Sequence, residues 1–278
     1  LTVTLLQGNV PQDEKFDYTR LPATLAWHVR ALTAARSDLV VAPETAIPLL
    51  PEQLPQGLWG RLTAHFAAGR SHALVGMPLG DLGAGYTNSV VGLAPAGGNA
   101  PGAYRYDKHH LVPFGEFIPP GFRWFVDAMH IPLGDFSRGP RAAASFAVRG
   151  EWVAPNICYE DLFGEELASR WNGEHPAPTL LANVSNIGWF GETVAVDQHL
   201  HISRLRSLEL QRPMLRATNT GATAVIDHRG QVTHRLAPHQ RGVLEGEVTG
   251  RSGATPFAWW ASRLRLWPLW VLALAGIA

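Results

Sequence analysis

The chain has 278 residues, of which 46% are hydrophobic and 17% charged; this supports a large core and excludes a disordered chain. Lys plus Arg equals Asp plus Glu at 23 each, so the basic footprint for phosphate is missing and no nucleic-acid partner is expected. A single cysteine excludes an internal disulfide.

In chain order, apolar patterning predicts a strand at 3–7 and a helix at 21–35. An apolar run at 38–43 reads as a buried strand ending at Glu44. A helix follows at 58–68, then strands at 73–77 and 88–93 around a glycine turn at 80–85. The turn Gly97-Gly98-Asn99 leads to a strand at 103–106. Residues 145–148 and 152–157 read as a hairpin about Arg149-Gly150. A helix at 165–171, a strand at 179–184 and a long helix at 194–211 come next. Strands at 214–218, 222–227, 231–236 and 242–248 close the pattern, with a turn at His228-Arg229-Gly230. Strands alternating with helices indicate α/β layers, and no repeat or low-complexity linker divides them, so one domain is expected over 1–262.

Two stretches depart from this pattern. Between 111 and 140 there is no period, but there are five prolines and the aromatics Phe114, Phe117, Phe122, Trp124, Phe125 and Phe136. A loop this long is functional or misassigned, and apolar rings in a loop cover a site, pack on the core or touch lipid. The second stretch is the tail. From Leu266 it runs 13 residues without a charge, while a membrane span needs about 20. Arg263, Arg265, Trp259, Trp260, Trp267 and Trp270 flank or enter it, as at a bilayer interface. Residues 263–278 read as the start of a membrane helix, with a buried C-terminal element as the other reading. At the opposite end the chain opens in a strand-like run, without Met and without a signal-peptide pattern.

Cys158 lies in Asn156-Ile157-Cys158-Tyr159-Glu160, between a β-like run and a helix-like one. A lone cysteine is often a small buried hydrophobe. At a strand-to-helix turn it also projects from the sheet edge, where helix N–H groups are expected to lower its pKa. A nucleophilic thiol needs a base and a positive or N–H-rich site for the developing oxyanion. Glu44 ends a buried strand, where α/β sheets place reactive side chains and where a desolvated carboxylate can act as general base. Lys108 follows the strand-like Tyr104-Arg105-Tyr106 and offers a cation. Taken alone, each of these two residues also fits an ordinary role.

Pro43-Glu44, Lys108 and Cys158, in that order and spacing, resemble the Glu-Lys-Cys set of the nitrilase (carbon–nitrogen hydrolase) superfamily. Within it, the run from Tyr106-Asp107-Lys108-His109-His110 through Gly115-Glu116-Phe117 resembles the apolipoprotein N-acyltransferase branch. So do Gln7-Gly8-Asn9-Val10-Pro11-Gln12, Phe136-Ser137-Arg138-Gly139-Pro140 and Arg216-Ala217-Thr218-Asn219-Thr220-Gly221. The resemblance covers 1–270 and implies a four-layer α-β-β-α sandwich of the nitrilase type, followed by the start of a C-terminal transmembrane helix. It implies further membrane helices before this chain, and a multi-pass protein of the bacterial inner membrane with the catalytic domain on the periplasmic side. The implied reaction moves a fatty acyl group from a phospholipid donor to the thiol. The thioester then acylates the α-amine of a diacylated apolipoprotein acceptor.

By the same resemblance Cys158 is the nucleophile, Glu44 the base, and Lys108 the oxyanion partner together with the Tyr159 N–H. Glu116 holds Lys108 charged and oriented, while Tyr159 and Glu160 shape the turn. The loop 117–136, with Phe117, Trp124 and Phe125, is a candidate lipid-facing lid. Trp189 and Phe190 either contact the acyl chain or pack in the core. Phe16 stands where the family usually has Trp, keeping a ring but losing an N–H donor. Ile187 stands where many relatives carry an acidic residue.

No cofactor and no metal are expected. There are twelve His, but the adjacent His109-His110, and His199 and His201 two apart, share no helical face. Gly80, Gly83 and Gly85 make no dinucleotide fingerprint, and Asn183-Val184-Ser185 lies in an apolar strand, a poor glycosylation site. Two alternatives stand beside the acyltransferase: a soluble amidase of the same superfamily, in which water replaces the amine, and an inactive binding domain that keeps the fold.

Overall fold

The computed structural model describes residues 1–11, 19–81, 83, 85–97, 104–118 and 136–277. Among them, twelve strands form two six-stranded sheets. The first contains β1 (Thr2–Gln7), β2 (Leu39–Val41), β3 (His72–Asp81), β4 (Gly85–Leu93), β5 (Tyr104–Asp107) and β12 (Gly242–Glu247), in the order β12-β1-β2-β3-β4-β5. The second contains β6 (Phe146–Val148), β7 (Glu151–Ile157), β8 (Leu180–Ser185), β9 (Met214–Thr218), β10 (Ala224–Ile226) and β11 (Val232–Arg235), in the order β11-β10-β9-β8-β7-β6. Each sheet has three parallel strands at its centre, β1-β2-β3 and β7-β8-β9, with antiparallel strands outside. The carboxyl ends of the parallel strands therefore share an edge in each sheet, the position where open α/β sheets carry their sites.

Alternation along the strands builds three apolar layers. Val3, Leu5, Leu39 and Leu74 face Ile157, Val184 and Leu215 of the other sheet and make the central core. Leu6, Val40 and Val75 point the other way, onto α1 (Leu21–Ala34) and α2 (Leu58–Ala68) through Leu25, Leu32, Leu62 and Phe66. On the outer face of the second sheet, Ala154, Leu181 and Met214 pack under α3 (Gly164–Ala168), α4 (Ala195–Leu210) and α5 (Pro256–Leu264). The layers run α-β-β-α. Because β2 is buried on both faces, it reads as an unbroken apolar run rather than an alternating one. Each fully buried aliphatic side chain in these layers is worth roughly 1.5–3 kcal/mol.

The predicted elements recur with small changes of extent. The helix at 58–68 and the strand at 214–218 match the sequence reading, and the hairpin of β6 and β7 forms about Arg149-Gly150. The stretch at 165–171 splits into α3 and a single 3-10 turn over Ser169–Trp171.

The tail forms two helices. Thr255 caps α5, its hydroxyl accepting the Ala258 N–H at 3.1 Å, and Ala258 and Ala261 pack on the second helical layer. Arg265 then turns the chain at φ +53°, and α6 (Trp267–Ala275) follows with Trp267, Leu269, Trp270 and Leu272 exposed. The tail is thus not a buried C-terminal element. Nine helical residues reach about 14 Å. Among the described residues no helix is long and apolar enough to cross a membrane.

Candidate active site

Glu44 sits on the turn that leaves β2. The turn passes close over β3, where a side chain at Gly76 would collide with the Pro43 carbonyl and with Glu44 Cα; Thr45 takes φ +48° to complete it. The carboxylate is buried. Oε1 accepts a hydrogen bond from Asn88 Nδ2 at 2.7 Å, and Oε2 accepts one from the Asn186 backbone N–H at 2.7 Å.

Lys108 follows β5 directly and is 1% exposed. Its Nζ lies 2.9 Å from both oxygens of Glu116 and 3.6 Å from Glu44 Oε1. Burial opposes the ammonium charge. The carboxylates of Glu44 and Glu116 outweigh it, with a smaller contribution from Cys158, and hold the Lys108 pKa above the ordinary lysine value. Lys108 is therefore charged at neutral pH. Glu116 is fixed in turn by Asn88 Nδ2 at 2.8 Å and the Val112 N–H at 2.9 Å. Behind the Lys108 turn, the Gly139 N–H donates to the Lys108 carbonyl at 2.8 Å. A side chain at Gly139 would strike the Asp107 backbone, so this approach needs glycine.

Cys158 begins the turn after β7 with φ +51°, a left-handed conformation that a non-glycine residue adopts under strain. Glu160 holds that turn. Its Oε2 accepts the Ile157 N–H at 2.7 Å and the Tyr106 hydroxyl at 2.6 Å, while its Oε1 accepts the His109 N–H at 2.7 Å and the His110 N–H at 3.1 Å. One buried carboxylate thus ties the Cys158 turn to the Lys108 turn across the two sheets. The sulfur lies close enough to feel Glu44, Lys108 and Glu116.

The thiol corrects one expectation. Burial, followed by the Glu44 charge, pushes its pKa up to about 12 against the opposing pull of Lys108. The helix-terminus effect expected from the sequence does not win. The element that follows is a five-residue 3-10 turn (Cys158–Leu162), too short to carry a sizeable dipole, and the site is largely desolvated. The resting group is a thiol that needs a base, and Glu44 is the carboxylate with the largest effect on it.

The other predicted residues fall in three places. Tyr159 packs its ring against His110 and Phe163, 5.6 and 5.2 Å between centroids. Phe117 lies half-buried beneath the Arg138 guanidinium, 4.6 Å from its ring centroid. Trp189 is 73% exposed and Phe190 56% exposed, so neither packs in the core. Both belong to the segment just after Asn186, whose N–H holds Glu44. Phe16, Trp124 and Phe125 lie outside the described residues. Ile187 is buried in the core beneath α4, an apolar setting that suits it. Sequence reasoning missed Asn88, which bridges the two carboxylates, and Asn186 and Asn219, joined at 3.0 Å behind Glu44. Their signal was a polar residue inside or just after an apolar strand. Among the described residues no group of three or more His, Cys, Asp or Glu could hold a metal ion.

Comparison with known proteins follows this geometry. The carbon-nitrogen hydrolase family model matches residues 2–257. The chain is 60% identical over 271 residues to the apolipoprotein N-acyltransferase of Verminephrobacter eiseniae, covering 95% of this chain and 50% of that protein. It is 53% identical over 258 residues to the apolipoprotein N-acyltransferase of Ralstonia nicotianae, covering 92% of this chain and 49% of that protein. The chain therefore spans about half the length of the curated relatives it matches. Among solved structures, an amidase from Nesterenkonia shares the fold with TM-score 0.65 at 15% identity, over 97% of this chain and 96% of that one.

Proposed function

Because this chain belongs to the carbon–nitrogen hydrolase family, we propose that it carries the catalytic domain of an apolipoprotein N-acyltransferase, with Cys158, Glu44 and Lys108 as its catalytic residues. The observation that carries this reading is the juxtaposition of a protonated, strained Cys158 with the Glu44–Lys108–Glu116 cluster. The names of the relatives support the choice of acceptor.

In the reaction we infer, Glu44 takes the Cys158 proton and the thiolate attacks the ester carbonyl of a phospholipid. The oxyanion forms beside the Lys108 ammonium and the Tyr159 N–H. Collapse breaks the ester bond, and the departing lysophospholipid oxygen takes the proton back from Glu44. A thioester remains. The free α-amine of a diacylglyceryl-cysteine then attacks it, Glu44 accepts the amine proton, and the sulfur leaves and is reprotonated by Glu44. Glu116 keeps Lys108 oriented, and Glu160 fixes the distance between the two turns. Keeping water out of this pocket favours amide formation over hydrolysis.

The exposed rings of Trp189 and Phe190 suit contact with an acyl chain, and the candidate lid residues Phe117, Trp124 and Phe125 belong to the same reading. The apolar surface of α6 suits the start of a membrane helix at 263–278, outside a catalytic domain at 1–262. On this reading the whole protein is multi-pass in the bacterial inner membrane and works on its periplasmic side.

The test is the intact mass of the protein after incubation with phospholipid, followed by addition of a diacylated lipopeptide with a free α-amine. One acyl group should appear on the single thiol, leave with the lipopeptide, and be absent from Cys158→Ser. Ammonia release from simple amides without lipopeptide acylation would assign the site to an amidase instead. Near-normal turnover by Cys158→Ser would reject the nucleophile.

A further inference from the structure

A second set of buried polar groups holds the nucleophile turn, and none of them belongs to the Glu44–Lys108–Glu116 cluster. Arg216 on β9 and Asp161, three residues after Cys158, are both fully buried. Arg216 Nη1 donates to Asn183 Oδ1 at 3.0 Å and to Ser203 Oγ at 2.6 Å, and lies 3.5 Å from Asp161 Oδ2. Ser203 donates to the same Asp161 oxygen at 2.5 Å. Arg216 Nη2 meets His199 Nδ1 at 2.5 Å. A guanidinium has no acceptor, so Nδ1 accepts and the ring proton sits on Nε2, which is 3.4 Å from Asp161 Oδ1. Arginine, hydroxyl and carboxylate are thus joined by hydrogen bonds, and the imidazole, bonded to the arginine, lies beside the carboxylate without a hydrogen bond to it. Asn183 links it to the nucleophile, its Nδ2 donating to the Cys158 carbonyl at 3.1 Å and to Asn156 Oδ1 at 2.6 Å.

A buried ion pair adds little net stability over apolar packing, so stability alone does not account for this one. We propose that Arg216 is a positioning residue for the nucleophile: with Asp161 and a neutral His199, it holds the Cys158 carbonyl through Asn183 and cancels the Asp161 charge beside the sulfur. This rests on Cys158 being the nucleophile.

The electrostatics agree with the geometry. Burial, then Arg216 and Lys108, depress the His199 pKa to about 2, so the imidazole stays neutral. Burial raises Asp161 to about 6 against the pull of Arg216, leaving it ionised at neutral pH. The charged groups facing the sulfur are Glu44, Lys108 and Glu116 from loops of the first sheet, Asp161 on its own turn, and Arg216 on β9. Those facing Asp161 are Arg216, Arg206 and His199 on α4, and Glu160. Losing Arg216 therefore disfavours the thiolate, and losing Asp161 favours it.

The experiment is the pH dependence of alkylation by iodoacetamide, read as intact mass on the full chain, whose one cysteine makes the site unambiguous. Near pH 8, Asp161→Asn should alkylate about tenfold faster than the parent and Arg216→Met about tenfold slower, with the double variant within about threefold of the parent. An Asp161→Asn profile that superimposes on the parent, or slows, overturns the proposal. Equal slowing of all three variants with an unmoved profile also overturns it, because that is what a merely structural role gives. If Arg216→Met, which leaves Asp161 buried and unpaired, does not fold, Asp161→Asn decides alone. Acylation of the parent by phospholipid is the separate measure of the nucleophile. Normal acyl-enzyme with unmoved profiles sinks only the role of Arg216; no acyl-enzyme sinks the reading beneath it.

Discussion

In the cluster reached from the first sheet, two carboxylates, Glu44 and Glu116, share one ammonium, Lys108. In the cluster reached from the second, one carboxylate, Asp161, faces one guanidinium, Arg216, with a neutral imidazole between them. The first carries a surplus negative charge, spread over N–H donors from Asn88, Asn186 and Val112. The second sums to zero. Both are buried, so the difference lies in the chemistry each allows. A cluster with surplus negative charge and a cation beside it can take a proton from Cys158 without leaving an uncompensated ion. A balanced one, ionised at neutral pH, has no surplus charge for a further proton to neutralise and suits holding the turn still. The lesson is that net charge within a buried network, more than the number of ionisable groups, separates a proton acceptor from a mount.

Removing the surplus breaks the comparison most directly. Glu44→Gln keeps the shape but leaves one carboxylate for one ammonium, and it places an amide where a base is needed. Thioester formation should fall by about 10²- to 10⁴-fold. The measurement is the rate of acyl-enzyme appearance by mass after mixing with phospholipid. Accumulation at the parental rate would show that the proton goes elsewhere.

Lys108→Met tests the other half of the first cluster. It removes the proposed positive partner of the oxyanion and leaves Glu44 and Glu116 bridged by Asn88 alone. The acylation rate should drop by at least about 100-fold, the scale of one oxyanion donor. Two facing carboxylates without a cation should also share a proton, and a base that holds a proton cannot take one from the thiol, so what activity remains should move toward higher pH. A pH profile of acylation checks both. Retained rate with a normal profile would place the oxyanion away from Lys108.

The first cluster was more legible in the sequence than the second, for a physical reason. Glu44, Lys108 and Cys158 each end or follow a strand, and apolar runs mark such ends plainly. Glu116 lies in an irregular segment and emerged through its resemblance motif alone. Asn88 and Asn183 sit inside strands, where period-2 reasoning says which face a residue takes but not which side chain from the other sheet meets it. Arg216 offered one hint, a charge within the buried run at 214–218, and its partners His199 and Ser203 lie on a helix known from sequence only by its length. The layers were legible because burial on one face repeats along each element. The thiol's raised pKa was not, because desolvation depends on neighbours brought together by both sheets.

The smallest effect sharpens the comparison from the side of the second cluster. Asp161 has its pKa raised to about 6 by burial, against 3.8 for the free group. A raised carboxylate binds its proton more tightly when folded. Its contribution to stability is therefore present below about pH 4 and lost as pH rises through about 6, by up to about 3 kcal/mol. Asp161→Asn cannot titrate and should lack that decline. Urea unfolding of the two chains at pH 4.5 and 7.5 checks it: the parent's advantage over the variant should shrink on going to the higher pH, and the other titrating groups, common to both chains, cancel in the difference. A difference that stays constant would mean that Arg216 fully offsets the burial of Asp161. The second cluster would then be balanced in energy as well as in charge, and its contrast with the Glu44 cluster would be sharper still.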